Sequence, residues 1–72
     1  MTYTFEQLRD ALRECTSYDL QQVVDDDQIA YALIDPSGDQ DGDLFYELAD
    51  VADYITNNEQ VDDYLYEAMM NS

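Results

Sequence analysis

The sequence predicts an all-α protein, a small compact bundle of about four short helices in a single acidic domain spanning residues 1–72. Apolar residues recur at helical spacing along much of the chain. The hydrophobic fraction of 46% is ordinary for a folded protein, and two glycines and one proline are too few for a linker. The chain is therefore expected to fold despite a net charge of −16, although 72 residues lie near the lower size limit for a self-sufficient core.

The first predicted helix begins after Thr4. Thr4 and Gln7 have the spacing of a capping box, in which each side chain bonds the backbone N–H of the other residue. One apolar stripe then follows at helical spacing, formed by Phe5, Leu8, Ala11, Leu12 and Cys15. This helix is interpreted as a scaffold.

Charged and sulfur-bearing residues complete this helix. Glu6 with Arg9, and Asp10 with Arg13, are spaced for local ion pairs, although the arginines could instead contact a partner. Cys15 is the one cysteine, so no intrachain disulfide is possible. We expect a buried, inert thiol and a reducing, cytoplasmic setting.

The next stretch is predicted to form two short helices. Ser17 is placed to cap the first of them, and its pattern stops at the cluster Asp25, Asp26 and Asp27. These aspartates either cap the element that follows or form a secondary acidic patch. Residues 28–34 (QIAYALI) are almost wholly apolar and hence buried. Periodicity does not separate helix from strand over so short a run, and the helical neighbours favour a helix.

Residues 35–43 (DPSGDQDGD) form the predicted loop, with both glycines and four aspartates. The loop does not match a calcium-binding EF-hand, because Leu48 falls where the bidentate Glu should stand when Gly42 is placed at the sharp turn. A weak, unspecific calcium site is the alternative. We expect instead a solvated turn that caps the next helix and holds no metal.

Two acidic helices are predicted from Asp43 to Ile55 and from about Glu59 to Met70, with Asn57 and Gln60 in a capping arrangement between them. Residues 43–70 contain no Lys, Arg or His. Carboxylates three or four positions apart on a helix repeat every ~5 to 6 Å, and a DNA strand carries one charge per ~3.4 Å. The hypothesis is that this surface imitates DNA.

The charge is distributed unevenly along the chain. Up to Tyr18, three acidic residues face two arginines, and the rest of the chain has fifteen acidic residues and no base. Such density destabilises a compact state by self-repulsion, so a use for it is expected. A strongly basic protein partner is favoured, and direct binding to nucleic acid or to a membrane is disfavoured.

Several classes of function lack their residues here. Without His or Lys, the usual general bases and nucleophile activators are missing, so an enzyme is not expected. No Cys and His cluster suits zinc, and no cofactor is expected. The N-terminus does not resemble a signal peptide, and no apolar run nears ~18 residues.

The predicted contact residues combine carboxylates with tyrosines. Tyrosine supplies large contact area with a polar tip and stacks on arginine, although these rings could equally cover a small core. The predicted partner-binding set is Asp39, Asp41, Asp43, Glu47, Asp50, Asp53, Glu59, Asp62, Asp63, Glu67, Tyr46, Tyr54 and Tyr66.

On the acidic residues between Asp35 and Glu67, and on the missing lysine, the chain resembles the small acidic DNA-mimic inhibitors of phages and mobile elements. These include anti-CRISPR, anti-restriction and glycosylase-inhibitor proteins. The resemblance implies a host-defence target, such as a Cas effector subunit, a restriction enzyme or another nuclease. It also implies action in the cytoplasm of a host cell.

Two other interpretations share the electrostatics. The chain could be an inhibitor or antitoxin of a different basic protein, or a halophile's housekeeping domain whose acidity is a salt adaptation. A halophilic domain should unfold near ~0.1 M salt, whereas a DNA mimic should stay folded. Either a monomer or a homodimer is compatible with so thin a core.

Overall fold

The computed structural model describes residues 3–71 and has an α+β architecture. Its elements are, in order, α1 (Phe5–Cys15), β1 (Asp19–Asp25), β2 (Gln28–Ile34), α2 (Leu48–Ile55) and α3 (Glu59–Met70). The prediction of an all-α bundle of about four helices is wrong. Where two short helices were expected before the loop, the described chain forms two antiparallel strands.

Helix α1 begins as its sequence predicts. The Thr4 N–H donates to Gln7 Oε1 at 2.9 Å, and the Gln7 N–H donates to Thr4 Oγ1 at 3.1 Å, which confirms the capping box. The inner face of the helix buries Leu8, Ala11 and Leu12. These three side chains are the α1 contribution to the core, and every other element packs around them.

Strands β1 and β2 form a hairpin in which Leu20 pairs with Leu33, and both side chains are buried in the same core as α1. Strand β2 is mostly apolar, and β1 adds Leu20, Val23 and Val24; branched and aromatic side chains of this kind pack well on a pleated surface. The helix that Ser17 was expected to cap and the helix over 28–34 were therefore wrong predictions. A short apolar run fits either state, and cross-strand packing selected the strand.

The turn of the hairpin consists of Asp26 and Asp27, with φ angles of 48° and 62°. Two consecutive residues with positive φ make the type I′ turn whose twist matches that of the flanking strands. Asn, Asp or Gly is usual at the first of these positions and Gly at the second, since the left-handed region is costly for most residues that have a Cβ. The aspartates are therefore turn residues, and the prediction that they cap a following helix is wrong.

Residues 40–45 run back along the free edge of β2. Tyr31 and Phe45 exchange backbone hydrogen bonds of 2.7 and 2.9 Å, and the Asp41 N–H donates to the Leu33 carbonyl at 2.7 Å. These bonds take up backbone groups that a helix would need. The acidic helix predicted from Asp43 therefore begins only at Leu48.

The last two helices both pack on α1. Helix α3 has the predicted bounds, but its N-cap is Asn58, whose side chain accepts from Gln60 N and Val61 N, and not Asn57. Val51 of α2, together with Val61 of α3, is fully buried in the core. Over residues 3–71, no helix combines the length and apolar content that a bilayer crossing requires.

The thiol of Cys15 lies between α1 and α3. It is half-buried, and Sγ donates to the Gln60 carbonyl at 3.4 Å. Burial, with a smaller effect from Glu14, raises the pKa of this thiol. A raised pKa keeps the sulfur protonated and weakly nucleophilic, in keeping with a structural side chain.

Candidate protein-binding surface

All of the acidic side chains lie in the described part of the chain, and none of them is buried. Fourteen of the eighteen are exposed, and the other four are half-buried: Asp19, Asp25, Asp35 and Asp41. Burying a carboxylate without a partner is costly, so a chain with so few cations must display its acids. The negative charge is therefore on the surface of an ordered fold.

The two cations are both on α1. Within residues 3–71 the one salt bridge joins Arg13 Nε to Asp19 Oδ1 at 2.8 Å, and a second bond joins Arg13 Nη2 to Asp19 Oδ2 at 3.2 Å. This pairing lowers the pKa of Asp19 and raises that of Arg13. The Arg9 guanidinium lies over the Phe5 ring, 5.4 Å from its centroid. The local pairs expected with Glu6 and Asp10 are not the contacts that form.

The hairpin tip meets the loop before α2 in what we call the tip patch: Asp25, Asp26, Asp27, Asp43 and Tyr46. The Tyr46 hydroxyl donates to Asp25 Oδ2 at 2.9 Å, so its ring reaches across β2 to β1. This bond, with the charges of Asp25, Asp26 and Asp43, raises the pKa of Tyr46. The fold thus brings the separate patch predicted at 25–27 next to two residues of the main predicted set.

The loop after β2 brings together a second group of polar side chains, which includes Asp35 and Asp41. The Asp35 carboxylate accepts from Ser37 N and Asp39 N, both at 3.0 Å, and so organises the turn. The Asp41 carboxylate lies beside the Tyr18 hydroxyl, and this contact, with the negative charges of Asp41 and Asp35, raises the pKa of Tyr18. No group of three or more His, Cys, Asp or Glu side chains in residues 3–71 is placed to hold a metal ion.

The remaining predicted acids lie on α2 and α3 or at their ends, and all are exposed. Glu47 is the N-cap of α2 without a side-chain capping bond. Asp50, Glu59 and Asp62 stand in first turns, where the helix dipole favours a carboxylate. The other predicted helical acids, which have no such support from the N-terminal end, are Asp53, Asp63 and Glu67.

Two of these acids stand at the unfavourable end of a helix. Asp53 is in the last turn of α2 and Glu67 in the last turn of α3, and neither last turn contains a basic residue. The C-terminal end of a helix is negative, so a carboxylate there costs stability. The requirements of the fold account for Asp50, Glu59 and Asp62, and they do not account for Asp53 and Glu67.

The three predicted tyrosines are between half and three-fifths exposed, with Tyr46 at 50%, Tyr54 at 51% and Tyr66 at 59%. Tyr54 on α2 packs at a tilt against Phe45, with ring centroids 5.5 Å apart. Tyr66 is on α3. Each ring leaves a large area open to solvent, and the Tyr46 ring does so next to the Asp25 carboxylate.

Tyr18 was missing from the predicted set. It precedes β1, and it meets Asp41 only because residues 40–45 return along β2. No spacing in the sequence could have indicated this contact, since 23 positions and two strands separate the residues.

Known proteins give no guide to the role of this surface. The chain matches no protein-family model, no curated protein and no solved structure. The function must therefore be argued from the surface itself.

Proposed function

We propose that this protein is a DNA-mimic inhibitor that occupies the basic nucleic-acid-binding groove of a partner protein and so blocks DNA binding. The partner is a host-defence nucleoprotein or nuclease, with an anti-CRISPR role as the leading case. The observation that carries the proposal is the exposure of fourteen acidic side chains on a folded domain whose only cations are on α1.

Some of these acids are kept at a cost to the fold. Asp27 occupies the second left-handed turn position, which suits Gly better, and it places a charge next to that of Asp26. Asp53 and Glu67 stand at the negative ends of their helices. A small domain has few kcal/mol of net stability to lose. Acids placed against stability support a role in recognition.

The dimensions also suit the proposal. The backbone extends 36 × 26 × 17 Å, and its long axis matches about one turn of B-DNA, ~34 Å. Duplex DNA carries about twenty charges over that length, at one per ~1.7 Å. The chain carries −16. Long-range attraction would steer this body into a cationic groove, and tyrosines would supply desolvated anchors.

The test uses the intact protein as bait in a phage-host lysate, followed by a DNA competition on the purified captured protein. We expect the bait to displace a labelled duplex from that protein, with affinity falling as salt rises, because the contacts are charge pairs. Capture without displacement of DNA would contradict the proposal. It would favour an inhibitor of another basic protein instead.

Charge variants sharpen the test. Asp53→Lys with Glu67→Lys removes acids that the fold does not require, and we expect weaker inhibition by tenfold or more, on the order of 1.4 kcal/mol, with stability unchanged or higher. Asp50→Lys and Asp62→Lys should also weaken inhibition. Glu6→Lys on α1 is the matched control and should have little effect. Equal losses in all variants would indicate a net-charge effect without a defined face.

A measurement of stability at two salt concentrations tests the alternative that the acidity is a salt adaptation. Urea unfolding at about 0.1 M and at molar salt should show a folded protein in both, with the higher stability at molar salt because salt screens the self-repulsion of the acids. Unfolding at the lower concentration would assign the acidity to halophilic solubility.

A further inference from the structure

A groove opens where the C-terminal end of α1, β2 and the α2–α3 turn meet. Its volume is about 480 Å³, within the range of ligand pockets, and it is open to solvent along one side. Edges of core side chains form its apolar floor: Leu12, Leu33, Ile55 and Val61. The rim is polar and includes Tyr18, Asp41, Tyr54 and Asn57.

The rim carries negative charge and aromatic rings, and no cation lines it. The Asp41 carboxylate lies beside the Tyr18 hydroxyl on this rim and has lone pairs for other donors, because a carboxylate has about four acceptor sites. Asp35 lies close enough to act on Tyr18 electrostatically and adds a second negative charge. An anion is therefore excluded, and a cationic group is favoured.

The shape selects among cations. An apolar floor below a carboxylate suits a side chain with a methylene stem and a charged head. Arginine adds a planar fork that matches a carboxylate and a flat face that stacks on tyrosine, whereas lysine offers a compact, strongly hydrated point charge. The rings of Tyr18 and Tyr54 stand on the rim with Asp41.

We propose that this groove accepts one arginine side chain of the partner, with the guanidinium on Asp41 between Tyr18 and Tyr54 and the methylene stem on Leu33 and Ile55. The inference rests on the proposed function, since it takes the partner to be a basic protein. It adds a defined contact to a surface that otherwise acts through many dispersed charges. When the partner binds duplex DNA, the same arginine would contact a phosphate or a base edge instead of this groove.

The experiment is a titration of the isotope-labelled protein, followed by NMR, with blocked arginine (N-acetyl-arginine-N-methylamide). We expect saturable shifts at groove residues Thr16, Leu33, Asp41 and Asn57, with affinity on the order of millimolar for so small a ligand. The citrulline analogue has the same shape without charge and should give no saturable shifts. Blocked lysine should bind several-fold more weakly than arginine.

Two variants locate the site. Asp41→Asn should weaken arginine binding about tenfold or more, and Tyr54→Leu several-fold. Glu6→Gln is the matched control, because it removes the same charge from the exposed start of α1, away from the groove, and should change affinity less than twofold. The spectra themselves report whether each variant is folded, and the comparison of arginine with citrulline needs no variant.

Shifts spread over the hairpin tip and α3 without saturation would overturn the groove, as would equal losses in Asp41→Asn and Glu6→Gln, or binding of citrulline as tight as that of arginine. The isolated protein is used, so the result is separable from DNA competition. Arginine binding without displacement of DNA keeps the groove and removes the proposed function. Displacement without arginine binding does the reverse.

Discussion

Helix α1 and the rest of the chain differ in their charge and in their contribution to the core. Helix α1 carries three acids and two arginines, is capped by a reciprocal pair of side chains and supplies three buried core residues. From Thr16 onward there are fifteen acids and no base. The strands and helices after Thr16 pack against α1 through their apolar sides, and most of their carboxylates are exposed to solvent.

In this fold, the residues that stabilise the core and most of the residues that carry the charge are in different places. The residues that hold the domain together are concentrated where α1 meets the other elements, and the acids stand outside that contact except Asp19, which pairs with Arg13. A surface with this separation can change its charges without losing its shape. Substitutions on the two sides should therefore have effects of different size and sign.

The largest expected effect is on α1. Leu8 is fully buried in the core, so Leu8→Ala should lower the free energy of unfolding by about 3 kcal/mol through lost burial and a residual cavity. Such a loss is a large part of the stability of a small domain. Urea denaturation followed by circular dichroism measures it. Asp63→Ala on exposed α3 is the control, within about 0.5 kcal/mol of the parent; equal losses would contradict the separation.

An opposite effect is expected at the hairpin tip. Asp26→Asn with Asp27→Gly gives the turn its favoured residues and removes two adjacent charges, so the free energy of unfolding should rise by about 1 to 2 kcal/mol. Thermal unfolding measures the gain. Asp39→Asn, at a position without positive φ, separates charge relief from backbone strain. A destabilised turn variant would show that the aspartates contribute to the fold after all.

The smallest expected effect concerns the bond from Tyr46 to Asp25. This bond raises the folded-state pKa of Tyr46 above its ordinary value of 10.0. A group with a raised pKa contributes stability below its unfolded pKa, and this contribution disappears as the pH rises through the folded pKa. The parent should lose stability above pH ~10 slightly more steeply than Tyr46→Phe. Urea unfolding at several pH values tests it, with Tyr66→Phe as the matched control.

Local signals predicted part of the fold correctly. The Thr4 and Gln7 capping box fixed the start of α1, and the apolar periodicity from Val61 onward indicated α3 with its observed bounds. Both depend on interactions within a few residues, because helical hydrogen bonds and caps join near neighbours. The prediction of α2 was too long at its start, since Phe45 bonds Tyr31 and not its own helical neighbours.

The hairpin escaped prediction because its turn carries no Asn-Gly signal. Two aspartates occupy the positive-φ positions. Because carboxylates are also common at helix N-termini, these residues were interpreted as a helix cap. The short apolar runs on either side fit a helix or a strand equally. The candidate surface was identified as a set of exposed acids. The sequence did not predict that these residues form the tip patch and the groove, because both depend on residues 40–45 lying along β2.

Helices α1 and α3 and the exposure of the acids could be predicted from the amino acids alone, because helical periodicity is local and carboxylates without cations cannot be buried. The folded chain was needed to show that residues 19–34 form a hairpin, that α2 begins at Leu48, and that Asp25 meets Tyr46 and Asp41 meets Tyr18. The physical reason is the range of the hydrogen bonds. A helix satisfies its backbone from within, whereas a strand and the side chains it positions depend on partners distant in the chain.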